Sequence, residues 1–93
     1  MIASRLVIRG RVQGVGYRYA MADTAQALGV TGWVRNRRDG TVEAFVQGEL
    51  AIIDALLAWC HKGPPSARVD AIDATAAEAD AMLDSFEHRQ TEP

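Results

Sequence analysis

Apolar and polar positions change period at definite points along the chain. From Arg5 to Gly10, Leu6 and Ile8 alternate with Val7 and Arg9, which predicts a strand. Gly10 to Gly16 is a loop with three glycines. Beyond it Tyr17, Met21, Ala25 and Leu28 recur at helical spacing, and Gly29 is placed as a C-terminal stop. Thr31–Asn36 and Thr41–Gln47 read as two further strands; in the second, Val42, Ala44 and Val46 alternate with Glu43, Phe45 and Gln47. Between them Arg37-Arg38-Asp39-Gly40 carries an Asp-Gly hairpin signal. A second helix is predicted over about Glu49–Lys62, with Ile53, Leu56, Leu57 and Cys60 on one stripe. Glu49 suits its N-terminus and His61 and Lys62 its C-terminus, and Gly63-Pro64-Pro65 ends it. Ala67–Ile72 reads as a fourth strand. The alanine- and acid-rich stretch Ala74–Met82 is given no element, Ser85–Arg89 reads as a short edge strand, and Gln90–Pro93 as a frayed tail.

This order predicts an α+β fold, a ferredoxin-like split βαβ sandwich (βαββαβ) with two crossover helices on one face of an antiparallel sheet. Ninety-three residues, 48% of them hydrophobic, suffice for one domain spanning 1–93 with one core. No apolar run approaches a membrane span, and the start lacks the basic and apolar regions of a signal peptide. One cysteine, Cys60, leaves no internal disulfide, which agrees with a cytoplasmic location. Net charge is −2, but residues 1–40 carry seven basic and two acidic side chains, a balance of +5. Residues 41–93 carry −7. An anionic partner therefore belongs with the first 40 residues.

The segment Gly10-Arg11-Val12-Gln13-Gly14-Val15-Gly16-Tyr17-Arg18 joins a strand to a helix start. Helix starts present free N–H donors and partial positive charge, and so attract phosphate. Gly14 and Gly16 allow positive φ, so that successive N–H groups converge on one anion. The dipole disfavours a cation in the first turn, so Arg18 there points to a bound anion, which its guanidinium grips with paired bonds. Taken alone, a Gly-x-Gly loop with an exposed arginine is more often a packing turn. It is neither a Walker A loop nor a dinucleotide fingerprint, since Tyr19 stands where the third glycine of the latter would fall. The loop holds no Cys, His, Asp, Ser or Lys, so water rather than a protein nucleophile must attack a bound phosphoryl group.

Gly10–Arg18 resembles the signature loop of acylphosphatases, and Gly32-Trp33-Val34-Arg35-Asn36 resembles that family's second motif. Asp39-Gly40-Thr41-Val42-Glu43, Gln47-Gly48 and Gly63-Pro64-Pro65-Ser66-Ala67-Arg68-Val69 match further, in order, over about three quarters of the chain. The resemblance implies a hydrolase acting on acid anhydrides in phosphorus-containing compounds, and the chain is expected to be a monomer. Its substrates would be small-molecule acyl phosphates, and inorganic phosphate would be both product and inhibitor. No metal or other cofactor, nucleic acid or membrane partner is implied. It places the phosphate-binding arginine on Arg18, the water-orienting asparagine on Asn36, and the backbone cradle on Gln13, Gly14, Val15, Gly16, Tyr17 and Arg18. Many members end in a short strand closing on an aromatic residue; here Phe86-Glu87-His88-Arg89 is followed by Gln90-Thr91-Glu92-Pro93.

These residues suit the reaction. A carboxylate leaves readily, so a general acid is dispensable, and loose phosphoryl transfer needs mainly positioning and charge stabilisation. Asn36 offers a neutral acceptor and donor for water where a carboxylate would repel a dianion. Elsewhere, Cys60 reads as a buried inert thiol, Trp33 and Trp59 as core or core-edge residues, and Tyr17 as packing under the cradle. Asp70, Asp73, Glu78 and Asp80 read as a solvated edge. Two other functions fit the fold. A nucleic-acid-binding module would use Arg35, Arg37 and Arg38, but the central strands lack stacking aromatics, Phe45 being alone, and the isoelectric point is near 5.6. A non-catalytic domain of this type would not require both Arg18 and Asn36.

Overall fold

The computed structural model describes residues 1–92. Seven elements follow in order: β1 (Ile2–Arg11), α1 (Tyr17–Leu28), β2 (Thr31–Asn36), β3 (Val42–Gly48), α2 (Leu50–Lys62), β4 (Arg68–Ala77) and β5 (Phe86–His88). The sheet runs β4-β1-β3-β2-β5. Four strands are antiparallel, and β5 adds to β2 in parallel, so the sheet is mixed rather than wholly antiparallel. The α+β sandwich is as the pattern predicts; the exception is the edge strand, whose direction depends on which side of the molecule the chain returns along.

Alternation decides the faces. Leu6, Ile8, Val34, Val42, Ala44 and Val46 are fully buried on one side, against Tyr17, Met21 and Ala25 of α1 and Ile53, Leu56 and Cys60 of α2. Truncating one of the larger of these would cost about 2–5 kcal/mol. Both helices begin and end as predicted to within a residue. Gly29 closes α1 in the left-handed conformation, its N–H donating to Gln26 O, while Val30 N–H reaches Ala25 O.

Three boundaries differ from expectation, the first being β1, which begins at Ile2 rather than Arg5 because Gly48 of β3 pairs with it there. β4 extends to Ala77, through half of the alanine-rich stretch, because β1 runs far enough to pair with it: Ala3 faces Ala77. Pairing overrides the poor strand preference of alanine. The tail is also held more firmly than a frayed end. Arg89 N–H donates to Val34 O and Glu92 N–H to Asn36 O, while the Glu92 carboxylate meets Arg37 Nε at 3.2 Å. Pro93 lies outside the described residues. No helix among them is long and apolar enough to cross a membrane.

Register places the site. Ile72 of β4, Ile8 of β1, Val42 of β3 and Asn36 of β2 form one row across the sheet. The Gly10–Arg18 loop leaves β1 just past that row, so loop and Asn36 share one end of the sheet. A bulge between Arg9 and Gly10 redirects the chain there. Gly10 lies against β4, where a Cβ would fall 2.1 Å from Arg68 O.

Candidate active site

The loop has the backbone that its glycines allow. Gly14 and Gly16 have φ of 73° and 79°, and Gly16 is the residue before α1. The first hydrogen bond of the helix is Ala20 N–H to Gly16 O at 3.1 Å. Among the described residues no N–H from Gly14 to Tyr19 donates to a protein acceptor, and α1 has neither a capping side chain nor an acid in its first turn. A helix start left so open is a positive concavity. Tyr17 packs beneath it, fully buried, its ring 5.4 Å from that of Trp59 and its hydroxyl donating to Cys60 O at 2.7 Å.

Arg18 projects from the first turn, half-buried, and forms no ion pair among the described residues. Its guanidinium lies 5.9 Å from the Tyr19 ring, which in turn lies tilted against the His88 ring at 4.5 Å. β5 thus brings His88 beside the cradle, an approach that nothing in the sequence spacing signals.

Most other arginines are committed. Glu43, buried on β3, accepts from Arg5 Nε and Arg35 Nε at 2.6 Å each. Burial alone would raise its carboxyl, but the bonds and charges of Arg35 and Arg5 outweigh it and hold the group below its ordinary value. Arg9 pairs with Asp73, and Arg37 with Glu92. Arg18 is therefore a half-buried cation left without a counter-charge among the described residues, beside open amides.

Asn36 ends β2. Its Oδ1 is the single buried side-chain oxygen or nitrogen among the described residues that lacks a hydrogen-bond partner. A buried orphan acceptor costs about 1–3 kcal/mol unless something donates to it, and a water is the simplest donor. Asn36 itself is fixed by Glu92 N–H on its backbone oxygen and by the turn that follows it. Asp39 Oδ1 accepts from Thr41 N–H at 2.9 Å and from its hydroxyl at 2.6 Å, bonds that hold the carboxyl below its ordinary value.

One side chain ties the halves together. Gln13 Nε2 donates to Arg37 O at 2.8 Å and Thr41 O at 2.9 Å, linking the cradle to the turn that begins immediately after Asn36. Gln13 was expected in the cradle only as backbone; its amide proves to be the strut between the two motifs, a role visible only once β1 and β2 share an end of the sheet.

Two other expectations change. Trp33 is not in the core but on the open face, half-buried and stacked with Phe45 at 6.4 Å, so Phe45 is not alone. The guanidiniums of Arg35 and Arg89 lie 5.1 and 4.9 Å from the Trp33 ring, so protein cations already cover that aromatic surface. Cys60 is buried as expected, its thiol pushed up to about 12 by burial, which makes it a poor nucleophile. Among the described residues no three His, Cys, Asp or Glu side chains gather as a metal-holding set.

The acylphosphatase family profile matches residues 4–88. An acylphosphatase of Anaeromyxobacter dehalogenans is 50% identical over 88 residues, 95% of each chain. One from Thermococcus kodakarensis is 47% identical over 81 residues, covering 87% of this chain and 89% of its own. Among solved structures, the acylphosphatase from Bacillus subtilis superposes with a TM-score of 0.91 at 31% identity, covering 96% of this chain and 99% of that one. A full-length HypF in its phosphate- and nucleotide-bound form contains a similar unit, with a TM-score of 0.85 at 30% identity over 98% of this chain but 12% of its own length. Profile, relatives and fold agree: the chain belongs to the acylphosphatase family, hydrolases that act on acyl phosphates.

Proposed function

We propose that the chain hydrolyses the carboxyl–phosphate bond of acyl phosphates by direct attack of water, with Arg18 and the Gln13–Arg18 amides holding the phosphoryl group and Asn36 holding the water. The observation that carries this reading is the unpartnered, buried Oδ1 of Asn36 at the same end of the sheet as an open helix start with an unpaired arginine. The phosphate dianion occupies the amide cradle, and the Arg18 fork makes two parallel bonds to its oxygens. Asn36 Oδ1 accepts a hydrogen bond from water and aims its oxygen at phosphorus. The new P–O bond forms as the P–O bond to the acyl group breaks, and the carboxylate leaves with the electron pair. The water's proton passes to a phosphate oxygen, so no protein base is required. Charge stabilisation and positioning supply the rate.

The same cradle would take inorganic phosphate as a product inhibitor, and one copy of the chain supplies every group named, so a monomer suffices. The test is phosphate release from benzoyl phosphate in EDTA. Arg18→Ala is expected to remove nearly all turnover and weaken phosphate inhibition. Arg18→Lys should fail to restore either, because an ammonium lacks the fork. Asn36→Ala should lower kcat roughly 10²-fold or more, the scale for one preorganised polar group, while phosphate still binds. Undiminished turnover by either alanine variant would remove the role given to that residue.

A further inference from the structure

Asn36 is held unequally on its two sides. Toward β3 it lies opposite Val42, and the next residue, Arg37, donates its N–H to Thr41 O at 2.9 Å and accepts from Gln13 on its own carbonyl. Toward β5 the regular ladder stops short. β5 ends at His88, opposite Val34, two residues before Asn36. Asn36 is also where β2 ends, and a strand end with one open edge frays more readily than one bonded on both.

The segment beyond β5 closes that edge. Arg89 N–H donates to Val34 O at 2.9 Å and Glu92 N–H to Asn36 O at 3.2 Å, a step of three residues in the tail against two in β2. The tail therefore leaves the regular ladder and returns to bond the site residue itself. Its carboxylate then meets both neighbours of Asn36. Glu92 Oε1 accepts from Arg37 Nε at 3.2 Å, and Oε2 lies 3.9 Å from Arg35 Nη2. The three side chains are only 26–28% exposed, so salt and water screen these pairs less than pairs on open surface. Glu92 thus holds residues 35, 36 and 37 together. Among the described residues none of its bonds reaches the Gln13–Arg18 cradle.

We infer that Glu92 is a positioning residue for the hydrolysis: by clasping the end of β2 it fixes the direction in which Asn36 Oδ1 holds the attacking water. The inference rests on the hydrolytic reading above and adds to it a residue that touches neither substrate nor water. In-line attack requires the water to lie on one axis with phosphorus and the departing oxygen. The aim of Oδ1 follows the backbone of Asn36, so an Asn36 free to shift on its β5 side presents the water off that axis for part of the time. The phosphoryl group is held elsewhere, by Arg18 and the cradle amides. Loss of the clasp therefore slows the chemical step and leaves phosphate binding intact.

The test measures kcat and KM for benzoyl phosphate, and inhibition by inorganic phosphate, in the natural chain and in Glu92→Ala, Glu92→Gln, Asn36→Ala and the double variant Glu92→Ala with Asn36→Ala. Glu92→Ala should lower kcat about tenfold. That is short of the roughly 10²-fold that a 1 Å misplacement costs, because Gln13 and Thr41 still hold Arg37. KM and phosphate inhibition should stay within about twofold, which also shows that the variant is folded. Glu92→Gln keeps an oxygen for Arg37 Nε and should recover part of the loss. In the Asn36→Ala background Glu92→Ala should change kcat by less than about twofold, since a residue that acts through Asn36 has nothing left to act on. A kcat undiminished in Glu92→Ala, a loss that appears in KM and phosphate inhibition instead, or a full further loss in the double variant overturns the clasp and leaves hydrolysis standing. Failure of the natural chain to release phosphate overturns the hydrolytic reading and this inference with it.

Discussion

A Cβ on Gly16 would touch nothing within 4 Å, so the need for glycine there is one of backbone, not of room. With φ at 79°, any L-residue with a side chain is held in the left-handed region at a cost of roughly 1–2 kcal/mol. A substitution could relieve that cost by rotating the loop, and the amides would then diverge from a common anion. Gly16→Ala is therefore expected to lose phosphate affinity by well over the factor of 10 that about 1.4 kcal/mol represents, with only a small fall in Tm. Phosphate titration beside thermal denaturation checks this; a variant that binds phosphate normally would show that the cradle does not depend on Gly16 geometry. Arg18 and Asn36 stand out at the same scale for opposite reasons. Among the described residues Arg18 is a charge without a counter-charge, and Asn36 Oδ1 an acceptor without a donor. The sequence made both legible only because glycines and a known motif framed them. The Gln13 strut had no such signal, because its partners, Arg37 O and Thr41 O, are backbone atoms 24 and 28 residues away.

Between elements, Glu43 is the polar joint of the open sheet face. From β3 it accepts from Arg5 on β1 and Arg35 on β2, so one carboxylate clamps three strands. Its folded-state pKa is depressed below the ordinary 4.5, so the unfolded chain takes up a proton first as pH falls. Its contribution to stability is therefore complete above about 4.5 and is lost as pH drops through the folded-state value. Tm is expected to be flat near neutrality and to fall in acid, and Glu43→Gln should lower the plateau and flatten that acid limb. Thermal scans from pH 7 to pH 3 read both, and an acid limb of unchanged steepness in Glu43→Gln would assign acid lability elsewhere. The elements that carry this joint were read from the chain because their signals are local: Gly29 after α1, Pro64-Pro65 after α2, and Asp39-Gly40 between β2 and β3. Those misjudged depend on tertiary partners. The extension of β4 needs β1 alongside it, the parallel course of β5 needs the edge of β2, and the exposure of Trp33 follows from Gly32 and Val34 taking the buried face.

Across the whole molecule, pairing converts a basic N-terminal half into a localised field. Arg5, Arg9, Arg35 and Arg37 are matched by acids, most of them from the C-terminal half. The arginines of this half left without an acid partner among the described residues are Arg11, Arg18 and Arg38. Arg11 ends β1 at the mouth of the loop, and Arg38 lies in the turn that Gln13 binds, so the unmatched charge collects at the cradle end. A dianionic substrate is therefore drawn toward the site by exposed charges that do not touch it, through a field that salt screens. The Debye length shrinks from roughly 20 Å near 0.02 M salt to about 4 Å near 0.5 M. Over that range kcat/KM for an acyl phosphate is expected to fall severalfold, almost wholly through KM. The reacting groups are buried or in contact with phosphate, where mobile ions do little, so kcat should hold. Arg11→Gln combined with Arg38→Gln should lower kcat/KM at low salt and flatten the salt dependence, because the outer field is then gone while Arg18 remains. Steady-state kinetics at five or six salt concentrations decide it. A salt effect that appears in kcat, or one that survives intact in the double variant, would mean that the matched arginines, and not the unmatched ones, set the field the substrate meets.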